Sequence, residues 1–331
     1  MEGYSINSLQ SRNTVEVDAS SGESPNDDRL TFTESLNSTI INYEWKNGRR
    51  YHDYGSGSAF ILAFSLPCSP GYKYPNDERE QERLDMVHFA TYLLLDERLF
   101  LAPFRPERKR VLDVGTAAGR WAIEMGEHYP EADVTGIDLS PIQPRWTPPN
   151  VKFIVEDVEE DWIEGEVYDF IHCRYMMGAI RDWPRLIEKF YRHLKPGGWV
   201  EFKDATIEVY SEDDTVQPDY AITEMLRALS EASTRLGVSL EYVPHVTTWM
   251  AEAGFQNIDR HVAKMPIGTW PKDKRLKLVG ALMAAHYVQG VEAFTFVLLR
   301  EIMGWPQADI EALNARVRAV AQKKSIHAMN D

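Results

Sequence analysis

Short apolar segments alternate with helical segments through the middle of the chain, and this alternation constrains the fold more than any other feature. The first apolar segment, residues 110–114, stops at Gly115, which is typical of a strand followed by a turn. Residues 119–128 then have helical spacing, and a second strand is predicted at residues 132–138. Because strand, helix and strand in this order place the two strands parallel, the pattern predicts a doubly wound parallel sheet.

Further elements extend this pattern in both directions. A helix over residues 183–194 ends at Lys195-Pro196-Gly197-Gly198, a clear stop signal. Additional strands are predicted at residues 151–155, 167–173, 198–203 and 255–262, and additional helices at residues 77–100, 218–236, 245–253, 273–303 and 309–323. The expected fold class is α/β: a Rossmann-like, doubly wound, mostly parallel sheet with N-terminal and C-terminal helical cap elements.

The same pattern gives a division of the chain into four parts. Residues 1–35 are polar and are predicted to form a disordered or loosely attached arm. Residues 36–106 form an N-terminal cap segment and helix, and residues 107–205 form the cofactor-binding Rossmann-like core. Residues 206–331 are expected to form a C-terminal helical substrate cap with one further sheet strand.

Composition excludes several classes of protein. The chain has 36 Lys and Arg against 51 Asp and Glu, a net charge of −15 spread along its length, so direct nucleic-acid binding is not expected. Two cysteines exclude a disulfide framework or a cysteine-rich zinc module, and no metal site is predicted. The apolar stretch 278–299 contains His286, Gln289 and Glu292, which favours a buried helix over a membrane span. We expect a soluble cytoplasmic protein that does not bind membranes.

Residues 113–119 form the loop at which the predicted sheet binds a ligand, because such sheets bind ligands beyond the carboxyl ends of their strands. Asp138 ends the second strand about 20 residues beyond this loop, where an acid can accept both ribose hydroxyls of an adenosine cofactor. The loop contains Ala117 where a dinucleotide fingerprint has glycine, and Asp113 is badly placed against a phosphate. S-adenosylmethionine, which carries ammonium and sulfonium groups, therefore fits better than NAD.

Longer motifs carry a resemblance to a known family. The chain resembles the class I S-adenosylmethionine-dependent methyltransferases, and more narrowly the fungal LaeA-like methyltransferases. The motifs are Val111-Leu112-Asp113-Val114-Gly115, Gly136-Ile137-Asp138-Leu139-Ser140-Pro141-Ile142-Gln143-Pro144, Glu156-Asp157-Val158, Leu194-Lys195-Pro196-Gly197-Gly198-Trp199-Val200, Gly48-Arg49-Arg50-Tyr51-His52, Pro75-Asn76-Asp77-Glu78, Arg83-Leu84-Asp85, Tyr168-Asp169-Phe170-Ile171-His172 and Pro266-Ile267-Gly268-Thr269-Trp270-Pro271.

This resemblance implies a set of cofactor-binding residues. It implies that the loop lines the methionine part, that Asp138 holds the ribose, and that Asp157 and the Val158 backbone hold the adenine. It also implies that Arg174 faces the amino-acid end of the cofactor. The implied cofactor-binding residues are Asp113, Gly115, Thr116, Gly119, Asp138, Leu139, Asp157, Val158 and Arg174. Two of these roles have alternatives, because Asp157 belongs to an acidic run typical of a solvated face, and Arg174 could form a surface ion pair.

Three departures from the family pattern stand out. Ala117 replaces the middle glycine of the loop and Arg120 replaces an apolar residue; if the backbone at position 117 has a positive φ, its Cβ costs about 1–2 kcal/mol. Residues 56–71 resemble an insertion. The sequence ends soon after Ile326-His327, where the family continues into a final strand.

The chemistry expected from the resemblance is methyl transfer to a small molecule, which needs a base only for some acceptors. His286 and Tyr175 are the candidate catalytic residues, although His286 is also interpretable as a core histidine; His88 and His172 are further candidates. The aromatic and apolar side chains of the C-terminal part suggest a hydrophobic acceptor, although core packing would give the same stripe: Trp249, Trp270, Met283, Tyr287, Phe294 and Phe296.

We therefore predict a methyltransferase that acts on a hydrophobic small molecule in fungal secondary metabolism. One alternative is a LaeA-type nuclear regulator that works through protein partners. Another is a methyltransferase fold that has lost methylation and acts as a cyclase or scaffold. A nicotinamide-dependent oxidoreductase is the least favoured.

Overall fold

An N-terminal hairpin is tied to the first helix by two neighbouring arginines. The computed structural model describes residues 43–52, 73–162 and 167–331. Its first elements are β1 (Tyr43–Lys46), the antiparallel strand β2 (Arg49–His52) and helix α1 (Glu78–Leu94). Arg49 donates to both carboxylate oxygens of Asp77, at 2.5 and 2.8 Å, and Arg50 donates to Asn76. Asp77 also caps α1 by accepting from the Glu80 amide. The motifs at residues 48–52 and 75–78 are therefore held together by hydrogen bonds.

Five parallel strands form the central sheet, which confirms the predicted α/β, Rossmann-like fold. They are β3 (Arg110–Val114), β4 (Asp133–Asp138), β5 (Val151–Val155), β6 (Tyr168–Arg174) and β7 (Leu194–Lys203), with helices α2 (Arg120–His128) and α3 (Trp183–His193) between them. The order in the sheet is β5-β4-β3-β6-β7 and every neighbouring pair is parallel. The chain starts at β3, fills one side and then returns to the other, so the switch point lies between β3 and β6.

The C-terminal part is mostly helical. Its elements are α4 (Ala221–Arg235), α5 (Val246–Ala253), β8 (Met265–Pro266), α6 (Lys274–Thr295), which continues into a π-helical turn at Phe296–Ile302, α7 (Gln307–Ala321) and β9 (Met329–Asn330). Helices α6 and α7 pack together, and α6 also packs along α1. The segment Lys274–Ile302 is long and apolar enough to cross a membrane, but 56% of its most apolar window is buried inside the protein, as expected for a core helix.

The strand predicted at residues 255–262 is wrong. These residues form no strand, and most of their side chains are exposed. The apolar residues of this stretch are separated by polar and charged ones, and no strand in the described part of the chain supplies the hydrogen bonds that would hold it extended. The strand that does form is β8, which pairs with β9 outside the central sheet. The predicted arm at 1–35 and the insertion at 56–71 lie outside the described residues.

Candidate functional site

A cavity of about 140 Å³ lies at the carboxyl ends of β3, β4, β5 and β6, at the switch point of the sheet. The predicted residues that line it are Asp113, Gly115, Thr116, Asp138, Leu139, Asp157, Val158, Arg174 and Tyr175. Two predicted site residues, Gly119 and His286, are not among the lining residues. The structure therefore gathers nearly all of the predicted cofactor residues, which are far apart in the sequence, around one space.

The loop between β3 and α2 has an unusual backbone. Gly115 and Gly119 have φ of +67° and +79°, and Ala117 between them has φ of +51°. Gly119 is the N-cap of α2, and a Cβ there would lie 2.3 Å from the Phe153 ring. Gly119 is thus required by the turn and by packing instead of by contact with the ligand. Ala117 does adopt the left-handed conformation, in which the Cβ of any residue other than glycine costs free energy.

Replacing Ala117 with glycine should stabilise the protein. Glycine has no Cβ, so the substitution removes the strain of the left-handed backbone at position 117. Glycine is also more flexible in the unfolded chain, which offsets part of this gain. The free energy of unfolding should therefore rise by about 1 kcal/mol. Denaturant unfolding of the variant measures this change. Ala118→Gly is the matched control: its φ is negative, so it should leave stability unchanged or lower it. Equal effects of the two substitutions would contradict this account.

Asp138 organises the two loops that border the cavity. One of its carboxylate oxygens accepts from the Ala117 amide and the other from the Ser140 amide, each at 2.9 Å. Gln143 joins the same loops by donating to the carbonyl oxygens of Ala117 and Ser140, at 2.6 and 2.9 Å. Burial raises the pKa of Asp138 to about 6, so the group is still ionised at neutral pH. Its remaining lone pairs can accept the ribose hydroxyls.

Asp113 is held by two neighbours beneath the loop. Thr116 Oγ1 donates to it at 2.6 Å, and its other oxygen lies 2.7 Å from His172 Nδ1. His172 is fully buried and stacks on Trp121 at 3.9 Å, so this histidine orients Asp113 and does not reach the cavity. Burial raises the pKa of Asp113 to about 6. The cavity floor therefore presents a carboxylate that favours a cationic ligand.

The loop after β5 is fixed by a lysine that the sequence does not point to. Lys189 on α3 donates to the carbonyl oxygens of Val158, at 2.9 Å, and Glu160. Asp157 accepts from the Glu159 amide at 2.9 Å, which closes the turn and leaves its second oxygen available. Two residues of the acidic run, Glu156 and Asp157, therefore line the cavity, so the run is not simply a solvated face.

Arg174 borders the cavity and does not form a surface ion pair. Its guanidinium donates to His88 Nδ1 at 2.8 Å, and His88 Nε2 lies 2.9 Å from Glu124. Both ring nitrogens of His88 are therefore engaged, which leaves it no lone pair for a substrate proton. Arg120, the other departure from the family pattern, also borders the cavity and binds Glu124 at 2.8 Å.

The two candidate catalytic residues occupy different environments. Tyr175 lines the cavity with φ of +53°, and its hydroxyl lies 2.8 Å from Thr91 Oγ1, which itself donates to Val87. The tyrosine is therefore the donor to Thr91, and its oxygen can still accept. His286 lies instead against Tyr287, and its Nδ1 accepts from Arg83 at 2.6 Å. Its proton is then on Nε2, so in this geometry it is a hydrogen-bond donor.

A second cavity, of about 340 Å³, lies along β7 and shares Tyr175 with the first. Many of its walls are apolar, and they include Leu94, Leu95, Val200, Phe202, Val246, Met250 and Phe255. The sequence suggested that six aromatic and apolar residues bind a hydrophobic acceptor: Trp249, Trp270, Met283, Tyr287, Phe294 and Phe296. None of them lines either cavity. Several of them belong to the hydrophobic core instead.

The charges around the first cavity fit S-adenosylmethionine. Asp113 and Asp138 supply ionisable carboxylates to the lining, and Arg174, whose charge acts on Asp113, supplies a cation. An ammonium, a ribose and a carboxylate group would each meet a complementary partner. A pyrophosphate would instead meet two carboxylates, which is the arrangement that makes NAD a poor fit.

Comparison with known proteins decides the family. A family model described as a methyltransferase domain matches residues 86–260. Methyltransferase pytC of Aspergillus terreus is 46% identical over 320 residues, which cover 96% of this chain and 94% of that protein. The chain belongs to the S-adenosylmethionine-dependent methyltransferases. The predicted fold, enzyme class and cofactor are thereby confirmed.

Two further relatives place this methyltransferase in the LaeA-like group. Secondary metabolism regulator LAE1 of Cochliobolus heterostrophus is 34% identical over 299 residues, 86% of this chain and 91% of that protein. Protein-methionine methyltransferase laeA of Emericella nidulans is 32% identical over 300 residues, 89% of this chain and 76% of that protein. The resemblance drawn from the motifs is confirmed.

Proposed function

We propose that this methyltransferase transfers a methyl group to a hydrophobic small molecule of fungal secondary metabolism. The observation that carries the proposal is the second cavity, which adjoins the cofactor cavity at Tyr175 and has many apolar walls. Burial there would stabilise the binding of an acceptor with an apolar body, by roughly 25 cal/mol per Å² of apolar surface removed from water. The 46% identity to methyltransferase pytC supports the same class of activity.

The residues of the chain bind and orient the reactants. When bound, S-adenosylmethionine supplies an electrophilic methyl group on a sulfonium. Asp113, Asp138 and Arg174 would hold the cofactor in the first cavity and so restrict its orientation toward an acceptor. Tyr175 lies on the wall that both cavities share, and its hydroxyl oxygen can accept a hydrogen bond from the acceptor. Burial raises the pKa of Tyr175, so it orients the acceptor as a neutral phenol.

His286 remains a less direct candidate for the base. It lines neither cavity, and its Nδ1 is engaged by Arg83. Burial lowers the pKa of His286 well below its usual value, which keeps the imidazole neutral. We therefore assign the acceptor contact to Tyr175 and expect Tyr175→Phe to raise the KM for the acceptor while leaving cofactor affinity unchanged.

The second candidate function is regulation through proteins. It is favoured by the relatives named as a secondary metabolism regulator and as a protein-methionine methyltransferase, both at lower identity than pytC. In that case the acceptor is a protein side chain and protein partners are expected. The third candidate, a fold that no longer methylates, is favoured by the strained Ala117 in the cofactor loop.

One labelling experiment separates these functions. The purified protein is incubated with methyl-labelled S-adenosylmethionine and a metabolite extract from a strain of the parent fungus lacking the gene. Label in a single apolar metabolite that the wild-type strain contains in methylated form would support the proposal. Label in protein alone would support the regulator, and label in neither, with cofactor binding intact, would support the cyclase or scaffold.

We also propose that the protein acts in the cytoplasm. Small-molecule tailoring needs no access to chromatin, whereas the regulatory function predicts a nuclear location. A fluorescent fusion expressed from the native promoter tests this: accumulation in the nucleus would count against tailoring and for regulation.

A further inference from the structure

Three side chains from different elements are joined by hydrogen bonds in a series that ends at the cofactor cavity. Glu124 on α2 lies 2.9 Å from His88 Nε2, and His88 on α1 lies 2.8 Å from the guanidinium of Arg174, which ends β6. His88 is only 4% exposed. Of the three, Arg174 and His88 border the cavity and Glu124 does not. The arrangement therefore links the lining of the cofactor cavity to a carboxylate outside that lining.

The positions of the protons follow from the donors. An arginine can only donate, so His88 Nδ1 must accept from Arg174. The ring proton is then on Nε2, where it is donated to Glu124. The hydrogen bonds of His88 to Arg174 and to Glu124 both require this tautomer, and the imidazole cannot rotate without losing both of them.

Arg174 keeps its full positive charge toward the cavity. Among residues 43–52, 73–162 and 167–331, no carboxylate forms an ion pair with it. It contacts His88 and the ring of Tyr175, 5.8 Å away, and the charges of Asp113 and Glu124 act on it from beyond ion-pair distance. A direct carboxylate partner would neutralise the guanidinium and repel an anionic ligand group. A neutral imidazole orients the guanidinium without neutralising it, and Glu124 acts only through that imidazole.

We propose that His88 and Glu124 are positioning residues that aim Arg174 at the carboxylate of the cofactor's methionine part. The proposal rests on S-adenosylmethionine being the cofactor and goes beyond it by giving His88 and Glu124 a role. An arginine held in one orientation binds a carboxylate more tightly than a mobile one, because less side-chain entropy is lost on binding.

The charges around His88 make this arrangement sensitive to acid. The charged groups that face His88 come from several elements: Arg174 on β6, Arg120 and Glu124 on α2, Asp113 on β3 and Asp85 on α1. Burial, followed by the two arginines, lowers the pKa of His88 against the opposing effect of Glu124, so the ring is neutral at neutral pH. Protonation at lower pH would place an N–H against the guanidinium and displace Arg174.

Calorimetry with two ligands tests the proposal. S-adenosylhomocysteine carries the amino-acid carboxylate, and 5′-methylthioadenosine lacks it. His88→Leu and Arg174→Met should each lose about tenfold or more in affinity for S-adenosylhomocysteine and keep their affinity for 5′-methylthioadenosine. His88→Gln, which can accept and donate in the same places, should retain most of the wild-type affinity. Phe89→Ala, an exposed neighbour on α1, is the matched control and should bind both ligands normally.

The pH profile provides a readout that a merely structural role would not change. As the pH is lowered, wild-type affinity for S-adenosylhomocysteine should fall more steeply than affinity for 5′-methylthioadenosine, and His88→Gln should show a smaller difference. Equal losses for both ligands in His88→Leu, or wild-type affinity for both, would overturn the proposal. If the wild-type protein binds neither ligand, the cofactor assignment fails and the proposal fails with it.

Discussion

Replacing Asp138 with alanine should abolish measurable binding of S-adenosylhomocysteine while the protein remains folded. The carboxylate has two expected tasks, because it accepts from the Ala117 and Ser140 amides and would accept the ribose hydroxyls. Hydrogen bonds to a charged group contribute about 1.5–3 kcal/mol each, so losing two of them predicts at least about a hundredfold loss of affinity. Calorimetry measures the loss, and circular dichroism checks the fold.

Two controls isolate the carboxylate of Asp138. Asp138→Asn keeps the shape but loses one acceptor oxygen, so its affinity should lie between those of wild type and Asp138→Ala. Asp161→Ala removes an exposed acid of the same charge that does not line the cavity, and its affinity should be unchanged. Because the pKa of Asp138 is raised to about 6, wild-type affinity should also fall as the pH drops below about 6, when the carboxylate becomes protonated. Unchanged affinity in Asp138→Ala would refute the placement of the ribose.

The sequence predicts the cofactor cavity well because the cavity depends on where strands end. Asp113 and Asp138 follow from the positions of two apolar runs, whereas Asp157 was implied by the resemblance to the family. Parallel strands bring the carboxyl ends of all three strands to one edge. The Gly115 and Ala117 backbones follow from the loop that must turn between strand and helix. These features are local, so the period of the sequence is enough to find them.

The supporting contacts could not be predicted because they join residues that are far apart along the chain. Gln143 clamps two loops, Lys189 reaches back from α3, and His88 joins α1 to the end of β6. Each residue type is also common on solvated helix faces, so nothing local distinguishes it. Lys189 is the one exception, because it lies on the apolar face of α3 with Leu186 and Phe190, where a solvated lysine is not expected.

The same reasoning explains the strand prediction that was wrong and the position of the candidate base His286 away from both cavities. His286 lies in an apolar helix, and the helical period gives its face but not which neighbour that face meets; the structure gives it Arg83. Residues 255–262 contain three apolar residues, Phe255, Ile258 and Val262, but strand formation depends on a hydrogen-bonding neighbour that the pattern alone does not reveal. In both cases tertiary packing decided the outcome.

Replacing Gly115 with alanine should weaken cofactor binding about tenfold or more and should also lower the stability of the protein, each for its own reason. The backbone at Gly115 has φ of +67°, where a Cβ costs about 1–2 kcal/mol. A Cβ there would also lie 2.1 Å from Met176 Sδ, so the methionine must move. Met176 itself lines the cavity, and its displacement would change the space that holds the methionine part of the cofactor. Calorimetry with S-adenosylhomocysteine and denaturant unfolding measure the two effects separately.

A glycine elsewhere in the chain separates backbone strain from the loss of space. Gly237 has φ of +76°, but a Cβ added there meets no atom within 4 Å. Gly237→Ala should therefore lower the free energy of unfolding by about 1–2 kcal/mol and leave cofactor affinity unchanged. The double variant Gly115→Ala, Met176→Ala should regain part of the affinity, because the shorter side chain gives the new Cβ room. If Gly237→Ala weakens binding equally, or if shortening Met176 restores nothing, then the close approach of Met176 to Gly115 is not what shapes the cofactor cavity.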